Sequence, residues 1–180
     1  MTRNLLRGAR GVGASFAVLL VGAVAVFASL NAMRARPAPL AGTASSPEEL
    51  AVKVMEAMRA RDIERLRSLA LTRDEFRAHV WPYLPVSRPE VNMPFDFTWN
   101  LLQQQSEGFL RQSVATFENV PDLRRVEFDG KTSTYGDVTV HRESEFVIAG
   151  GSTGERRIRL LGSMVEQGGR WKVMSYVVND

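Results

Sequence analysis

The spacing of the apolar residues changes near Pro121, and this change constrains the fold more than any other feature of the sequence. Before Pro121 the apolar residues recur every three or four positions, as in amphipathic helices, whereas after it they alternate with polar residues, as in strands. Strands are predicted over residues 125–129, 137–148, 156–166 and 171–178. Helices followed by strands predict an α+β domain in which N-terminal helices pack on a curved antiparallel sheet.

Capping signals locate the helices that precede the strands. Ser46-Pro47-Glu48-Glu49 combines a capping serine, a proline suited to the first helical position and a capping-box glutamate, so the first helix begins at Pro47. Asp62 and Thr72 are predicted to cap two shorter helices. The longest helix is predicted from Asp96, its cap, to Phe117, after a proline-rich loop over residues 82–94.

An uncharged segment near the N-terminus predicts a membrane helix. Residues 11–33 carry no charge and follow Arg3, Arg7 and Arg10. As a helix they would reach roughly 34 Å, enough to cross a hydrocarbon core of about 30 Å. The segment is longer than the apolar part of a cleavable signal, which favours retention of residues 1–33 as a signal-anchor over removal as a signal peptide. The apolar residues of the predicted membrane segment include Val12, Phe16, Leu19, Leu20, Val26, Phe27 and Leu30.

The charges that flank this segment predict the location of the remaining chain. Three arginines before it, against Arg34 and Arg36 after it, favour a cytoplasmic N-terminus. The protein is then a single-pass protein of a bacterial inner membrane with its domain on the extracytoplasmic side, or a secreted or periplasmic protein if the segment is cleaved. Residues 34–46, rich in Pro, Ala, Gly and Ser, predict a flexible linker, and residues 47–180 a single α+β domain.

Composition excludes several classes of function. The chain has no cysteine, so disulfides, thiolate nucleophiles and cysteine metal sites are ruled out. Apart from the five arginines before Pro37, its 18 basic residues face 20 acidic ones, and this mixed charge does not indicate a nucleic-acid partner. No set of residues has metal-ligand spacing, and no phosphate loop, nucleophile elbow or carboxylate pair indicates catalysis. No cofactor, metal site or catalytic residue is predicted.

The glycine pair Gly168-Gly169 predicts the register of the last hairpin. A two-residue turn there places Glu166 opposite Trp171, Met164 opposite Val173 and Gly162 opposite Ser175. The preceding strands are expected to place three further side chains on the face of Met164, because a slip of one residue would expose them to water. These side chains are Val140, Phe146 and Ile148. Glu145 is expected beside Arg157 or Arg159 on the opposite face.

Arg142 is the strongest candidate for a ligand contact. The predicted register aligns Arg142, Gly162 and Ser175 across three strands, with Ser144 adjacent, and so forms a polar patch within an apolar face. An arginine on a helix-facing strand position requires an anionic partner or contact with water, and the partner is either a ligand or a helix carboxylate such as Asp96 or Glu107.

Three aromatic residues, Trp81, Tyr83 and Trp99, flank the proline-rich loop and either line a cleft or belong to the core. The outward face of the last hairpin is too apolar for a surface that meets only water. Its apolar residues are Leu161, Val165, Met174, Tyr176 and Val178. Either a second copy of the sheet covers this face, which would give a homodimer, or the proline-rich loop or a helix of the same chain covers it.

The order of elements, with the closing segment GGRWKVMSYVV, resembles the cone-shaped superfamily of nuclear transport factor 2 and ketosteroid isomerase. EFRAHVWPYLP and FDFTWNLLQQQS are in addition similar to segments of exported bacterial proteins of unassigned activity. The resemblance implies a cone-like fold with a concave pocket. The acidic base and paired hydrogen-bond donors of the isomerases have no matching residues here, so their chemistry is not implied.

The sequence therefore predicts a membrane-tethered extracytoplasmic binding or protein-interaction module without catalytic activity, whose ligand it does not identify. One alternative is a small isomerase-like or hydrolase-like enzyme that uses the concave face. Another is a structural subunit of an envelope complex.

Overall fold

The computed structural model describes residues 37–117, 122–150 and 154–177. Within these ranges the α-helices are α1 (Pro47–Arg59), α2 (Ile63–Ser68), α3 (Arg73–Glu75) and α4 (Phe95–Thr116). A π-helix over Phe76–Val80 continues α3 and is followed by two short 3-10 turns, Trp81–Tyr83 and Pro85–Ser87.

The predicted caps are largely confirmed. The Ser46 hydroxyl accepts a hydrogen bond from the backbone of Glu49, Asp62 caps α2, and Thr72 forms a complete capping box with Glu75. Asp96 is not the cap of the long helix, because Pro94 occupies that position and Asp96 lies in the first turn. A carboxylate in a first turn still interacts favourably with the helix dipole.

Two antiparallel sheets form where the sequence predicted one. The strands are β1 (Leu123–Glu127), β2 (Thr132–Tyr135), β3 (Val138–Arg142), β4 (Glu145–Gly150), β5 (Gly154–Ile158), β6 (Ser163–Gln167) and β7 (Arg170–Ser175). One sheet has the order β1-β4-β5 and the other the order β2-β3-β6-β7. The fold class α+β is thus confirmed, while each of the two long predicted strands is divided between the sheets.

The break between β3 and β4 places Val140 on a different face from the one predicted. Glu143 has a φ of 51°, in the left-handed region, which interrupts the alternation of side chains between the two strands. Phe146 and Ile148 therefore lie in the same core cluster as Met164, as predicted, but Val140 lies in a second cluster.

The last hairpin has the predicted turn and most of the predicted register. Glu166 pairs with Trp171 and Met164 with Val173 around the two glycines. A bulge next to Met164 then shifts the pairing, so that Ser163 rather than Gly162 is the Cα partner of Ser175. Gly162 nevertheless remains bonded to this strand, since its N–H donates to the Ser175 carbonyl at 2.9 Å.

Two apolar clusters hold the helices against the sheets. The first joins α1, α2 and the second half of α4 to strands of both sheets; its members include Leu50, Val54, Met55, Met58, Leu66, Leu110, Val114, Phe146, Ile148, Met164 and Val173. The second joins the π-helix and the start of α4 to the four-stranded sheet; its members include Leu40, Phe76, Val80, Phe95, Val138, Val140 and Val165.

The apolar face predicted to meet a second copy is covered within the chain itself. Leu161 and Val165 are 0% exposed and Tyr176 is 2% exposed, while Met174 packs against the second cluster. Coverage by the same chain, the alternative stated above, therefore applies to Leu161, Val165 and Tyr176, whereas Met174 is half-buried. Val178 lies outside the described residues.

The packed part of the chain begins before the predicted domain boundary. Leu40 is 1% exposed and Ala44 is 2% exposed. Ala44 also pairs with Trp171 through two backbone hydrogen bonds of 2.9 Å, which cover part of the open edge of β7. We call residues 38–44 the strap. The strap belongs to the same compact unit as the rest of the domain, so the flexible linker predicted over residues 34–46 is too long.

The predicted membrane segment, including Val12, Phe16, Leu19, Leu20, Val26, Phe27 and Leu30, lies outside the described residues. None of the helices within the described ranges combines the length and apolar character that a bilayer crossing requires.

Candidate ligand-binding site

A cavity of about 290 Å³ opens beside the four-stranded sheet, where the last residues of β3 and β7 lie next to the first residue of β6. Arg142, Gly162 and Ser175, which the sequence predicted to align, all line this cavity. Pairing of Arg142 with Ser163, and of Ser163 with Ser175, brings them together across the three strands. Apolar side chains complete the wall; they are Tyr135, Val140, Leu161, Met174 and Val177.

Arg142 reaches the cavity without a carboxylate partner. Its guanidinium donates a hydrogen bond to the Ser133 hydroxyl at 3.1 Å, and among the described residues no acidic group forms an ion pair with it. The two predicted helix partners are engaged elsewhere, Asp96 with Arg73 and Glu107 with Arg67. The helix-carboxylate alternative is therefore wrong, because the break at Glu143 turns Arg142 to an exposed position on the other face of the sheet.

Gly162 permits the close approach of two chain segments at the floor of the cavity. A Cβ atom at this position would lie 1.8 Å from the carbonyl oxygen of Val177, so any larger residue would displace the backbone. The hydroxyl oxygen of Ser175 accepts a hydrogen bond from the Val177 N–H at 3.0 Å. The hydroxyl proton of Ser175 can therefore be donated to a group bound in the cavity.

A second basic residue, Arg159, lines the cavity together with Glu143. The Arg159 guanidinium bonds Glu145 at 2.8 Å and lies 3.8 Å from Glu143. Part of its charge is therefore compensated by these acidic neighbours, whereas Arg142 has none at this distance among the described residues. Arg142 is the stronger attraction for an anion.

The field of Arg142 is also felt at Asp129. The pKa of Asp129 lies below its usual value, chiefly because the backbone and side chain of Lys131 donate hydrogen bonds to it, with a smaller contribution from the charge of Arg142. Charges of both signs thus lie near Arg142, and the surface around it is not broadly positive.

One face of the three-stranded sheet carries a network of exposed ion pairs. Arg157 donates to Glu127 at 2.9 Å, as does Arg125. These hydrogen bonds, from Arg157 first and Arg125 second, lower the pKa of Glu127. Glu145 lies beside both Arg157 and Arg159, as the sequence predicted. Because these charges are paired with one another, this surface is a solvated sheet face.

Four of the predicted site residues lie away from the cavity lining. Ser144 is completely buried, and its hydroxyl has no hydrogen-bond partner among the described residues. Trp81 packs edge-on against the Phe95 ring at 5.3 Å. Trp99 packs on Phe76 at 5.4 Å, so both tryptophans belong to the second cluster, as the core alternative predicted.

Tyr83 is the exposed member of this predicted aromatic set, with 55% of its surface accessible. Its ring lies over Gly136, where an added Cβ atom would come within 2.5 Å of the Tyr83 hydroxyl oxygen. The three aromatic residues therefore do not form a common cleft with Arg142.

Sequence reasoning missed a buried ion pair between the sheet and the helical layer. Lys172 Nζ lies 2.8 Å from Glu75 Oε2, and the two side chains are 3% and 11% exposed. Glu75 also accepts hydrogen bonds from the backbone N–H groups of Thr72 and Ala41 at 2.8 Å. Burial opposes ionisation of Glu75, but these bonds outweigh it, so the pKa of Glu75 is lowered. Strand alternation alone gave no signal for this pair.

A second unpredicted cluster surrounds His79, which is 1% exposed. Its Nε2 atom lies 2.9 Å from the carbonyl oxygen of Ala38, and its Nδ1 atom lies 3.2 Å from Asp137. Gln167 donates to Asp137 at 2.8 Å and accepts from the N–H of Leu40 at 2.8 Å. Nε2 thus contacts the strap directly, while Nδ1 contacts Asp137, which is linked to the strap through Gln167. This is a structural use of a histidine–aspartate pair.

In the part of the chain that the structure describes, no group of three or more histidine or acidic side chains is arranged to hold a metal ion.

Comparisons with protein-family models, with curated proteins and with solved structures found no match. The resemblance to the cone-shaped superfamily accordingly stays a prediction.

Proposed function

We propose that the protein is a membrane-tethered, extracytoplasmic binding module that takes a small organic anion into the cavity at Arg142. The observation that carries the proposal is the state of Arg142, which lines an open cavity with only a serine hydroxyl as its hydrogen-bond partner among the described residues. A charge-assisted hydrogen bond to a carboxylate would be stronger than the bond to this neutral hydroxyl.

The rest of the lining favours a ligand with an apolar part. Val140, Met174 and Val177 provide apolar surface next to Arg142, and the Ser175 hydroxyl provides one further donor. Pockets that combine apolar walls with a few polar groups orient ligands through those polar groups. A carboxylate carried on a short hydrocarbon group fits this arrangement, with the carboxylate at Arg142 and Ser175.

Two features support binding without catalysis over the isomerase-like or hydrolase-like alternative. Side chains of α1 and α4 fill the space between helices and sheets, where a cone-like enzyme would keep its reaction chamber. The acidic side chain that lines the Arg142 cavity, Glu143, lies 3.8 Å from Arg159 and so is not an isolated base. A general base must be free to accept a proton from a bound substrate, whereas the Glu143 carboxylate already faces the Arg159 guanidinium.

The membrane tether follows from the uncharged segment of residues 11–33 and the arginines around it. A module held at the outer surface of the membrane would meet anions that pass through that compartment. A structural role in an envelope complex would not require an open cavity with an exposed arginine.

Titration calorimetry of the full-length protein in detergent micelles tests the proposal, with hexanoate as the probe anion and hexanol as its uncharged counterpart. We expect hexanoate to bind and Arg142→Gln to weaken its affinity by about tenfold or more, which corresponds to the loss of one charge-assisted hydrogen bond. The melting temperature should change little, because Arg142 is exposed and makes no ion pair with a described residue.

Arg88→Gln is the matched control, since Arg88 is also exposed but does not line the cavity. This variant should bind hexanoate as the wild type does. Equal affinities of the wild type and Arg142→Gln for hexanoate would contradict the proposal, as would hexanol binding as tightly as hexanoate.

A further inference from the structure

Two neighbouring residues of opposite charge, Arg142 and Glu143, line the same cavity. In a regular strand successive side chains point to opposite faces, so adjacent residues do not normally share a site. Strand β3 ends at Arg142, and Glu143 follows it with a φ of 51°. The left-handed conformation of Glu143 thus accounts for the presence of both residues at one cavity.

The backbone of Glu143 is itself unusual. Its left-handed conformation is unfavourable for a residue that carries a side chain. Glycine adopts this conformation without that cost, and the chain has glycine at other left-handed positions such as Gly130 and Gly136. Residues other than glycine in such conformations concentrate at ligand clamps and active sites. The conformation of Glu143 therefore supports a role for its carboxylate at the cavity.

The carboxylate of Glu143 has hydrogen-bonding capacity left for a ligand. Its ion pair with Arg159 has an N–O distance of 3.8 Å, which is longer than a hydrogen bond. Arg159 instead donates hydrogen bonds to Glu145 at 2.8 Å and 3.0 Å. No described residue donates a hydrogen bond to Glu143, and 41% of its side chain is accessible. Both carboxylate oxygens of Glu143 can therefore accept hydrogen bonds from a bound group.

The positive and negative groups at the cavity are not paired with each other. Arg142 bonds the Ser133 hydroxyl and forms no ion pair with a described residue. Lys131 is bonded to Asp129 at 3.0 Å, and this bond is the main reason why the pKa of Lys131 is raised, with a smaller contribution from the charge of Glu143. The cavity therefore presents a guanidinium and a carboxylate that a ligand with both charges can engage together.

We propose that the ligand of this cavity is a free α-amino acid with an apolar side chain, an inference that rests on the anion-binding function proposed above. Its carboxylate binds Arg142 and the Ser175 hydroxyl, and its ammonium group binds Glu143. Hydrogen bonds between charged partners of this kind are the strong ones. Its side chain lies against the apolar wall, at Val140 and Met174. An amino acid carries both charges on one carbon atom, whereas the two charged ends of a peptide belong to different residues.

The size and lining of the cavity fit such a ligand. Its volume of about 290 Å³ lies just below the usual range of ligand pockets, roughly 300–1,000 Å³, and so limits the ligand to a small molecule. The wall formed by Val140, Leu161 and Met174 favours a hydrocarbon side chain, because contact with it removes apolar surface from water.

Titration calorimetry of the full-length protein in detergent micelles tests the proposal with a set of related compounds. Leucine carries both charges, isocaproate is leucine without its ammonium group, and isoamylamine is leucine without its carboxylate. We expect leucine to bind about tenfold more tightly than isocaproate, which corresponds to one charge-assisted hydrogen bond, and isoamylamine to bind most weakly. Leucine that binds no more tightly than isocaproate would overturn the inference.

Glu143→Gln keeps the size of the side chain and removes its charge. This variant should bind leucine about tenfold more weakly but isocaproate somewhat more tightly, because a negative charge near the bound anion has been removed. Glu90→Gln is the matched control, since Glu90 is exposed and does not line the cavity, and it should bind both compounds as the wild type does. A general disturbance of the site would weaken both compounds in Glu143→Gln, and that result, or unchanged affinity for leucine, would contradict the role of Glu143.

The apolar part of the inference is tested with glycine as the ligand, which has both charges and no side chain. Glycine should bind about tenfold or more weakly than leucine, because it leaves the apolar wall in contact with water. Equal affinities of glycine and leucine would overturn the assignment of an apolar side chain.

Arg142→Gln separates failure of this inference from failure of the proposed function. The variant should lose affinity for leucine and for isocaproate alike, since both place a carboxylate at Arg142. Wild-type affinity of Arg142→Gln for both compounds would overturn the proposed function and the amino-acid inference together. Dependence of both compounds on Arg142, without any preference for leucine, would overturn the amino-acid inference alone.

Discussion

Lys172 and Glu75 form a buried ion pair between the sheet and the helical layer. Both side chains are largely buried and lie 2.8 Å apart, with Glu75 also bonded to the strap. Removing one member of a buried pair leaves the other charge uncompensated. We therefore predict that Lys172→Met lowers the free energy of unfolding by about 3 kcal/mol, measured by urea denaturation.

The exposed pair of Lys53 and Glu49 provides the control for this measurement. It is a helical ion pair with an N–O distance of 2.6 Å in which 33% and 41% of the two side chains are accessible. Lys53→Met should cost less than about 1 kcal/mol, because exposed ion pairs contribute little. Similar decreases in the free energy of unfolding for Lys172→Met and Lys53→Met would contradict the prediction that the buried pair contributes more to stability.

Glu75 also determines how the free energy of unfolding should change at acidic pH. Because the pKa of Glu75 is lowered in the folded state from its ordinary value of 4.5, its contribution is present above that pH and is lost as the pH falls through the lower folded value. Lys172→Met should remove much of this effect, since burial then raises the pKa of Glu75.

Urea denaturation of both proteins between about pH 6 and about pH 3 measures the difference. The gap in the free energy of unfolding between wild type and Lys172→Met should narrow as the pH falls. A gap that is constant over this range would contradict a lowered pKa at Glu75.

For single residues, the sequence predicted the position of a side chain in the fold better than it predicted the residue with which that side chain interacts. Arg142, Gly162 and Ser175 line one cavity, although a bulge at Ser163 and Met164 replaces the predicted pairing of Gly162 with Ser175. The partner of Arg142 was not predictable, because one residue in the left-handed region, Glu143, changes which face Arg142 occupies. The buried position of Lys172 was likewise missed, since its carboxylate partner is remote in sequence.

Among the elements, the strap is the one whose role differs most from the sequence prediction. A composition rich in Pro, Ala, Gly and Ser predicts a flexible linker, but Leu40 is 1% exposed within the second cluster. Its neighbours Ala38 and Ala41 are held by His79 and Glu75. Leu40→Ala should therefore lower the free energy of unfolding by about 3 kcal/mol, as for other buried leucines.

Val52→Ala is the control, because Val52 is 42% exposed on α1 and should cost less than about 0.5 kcal/mol in the same urea titration. If Leu40→Ala proved as mild as Val52→Ala, residues 34–46 would act as the linker that their composition indicates.

Helices and strands were predictable to different degrees for physical reasons. Helix starts were found because caps are local, as at Ser46, Asp62 and Thr72. The π-helix over Phe76–Val80 carries no such local signal. Strand β2, Thr132–Tyr135, was missed because it is short and lacks apolar alternation. The breaks within the two long predicted strands depend on how the sheets separate, which alternation does not encode.

For the whole molecule, the sequence predicted the α+β class from the single change of period near Pro121. It did not predict two sheets, and this division places the Arg142 cavity beside the four-stranded sheet rather than under the helices. The space under the helices is filled by the first cluster. The proposed function thus shifts from a cone interior to an open cavity at the ends of β3, β6 and β7.

Native mass spectrometry of the full-length protein can show whether this cavity binds an organic anion through Arg142. The protein would be purified from the membranes of the cells that express it, without added ligand. We expect a co-purifying organic anion that is present in the wild type and in Arg88→Gln and is lost in Arg142→Gln. An anion retained equally by all three proteins, or no bound anion in the wild type even after addition of hexanoate, would contradict it.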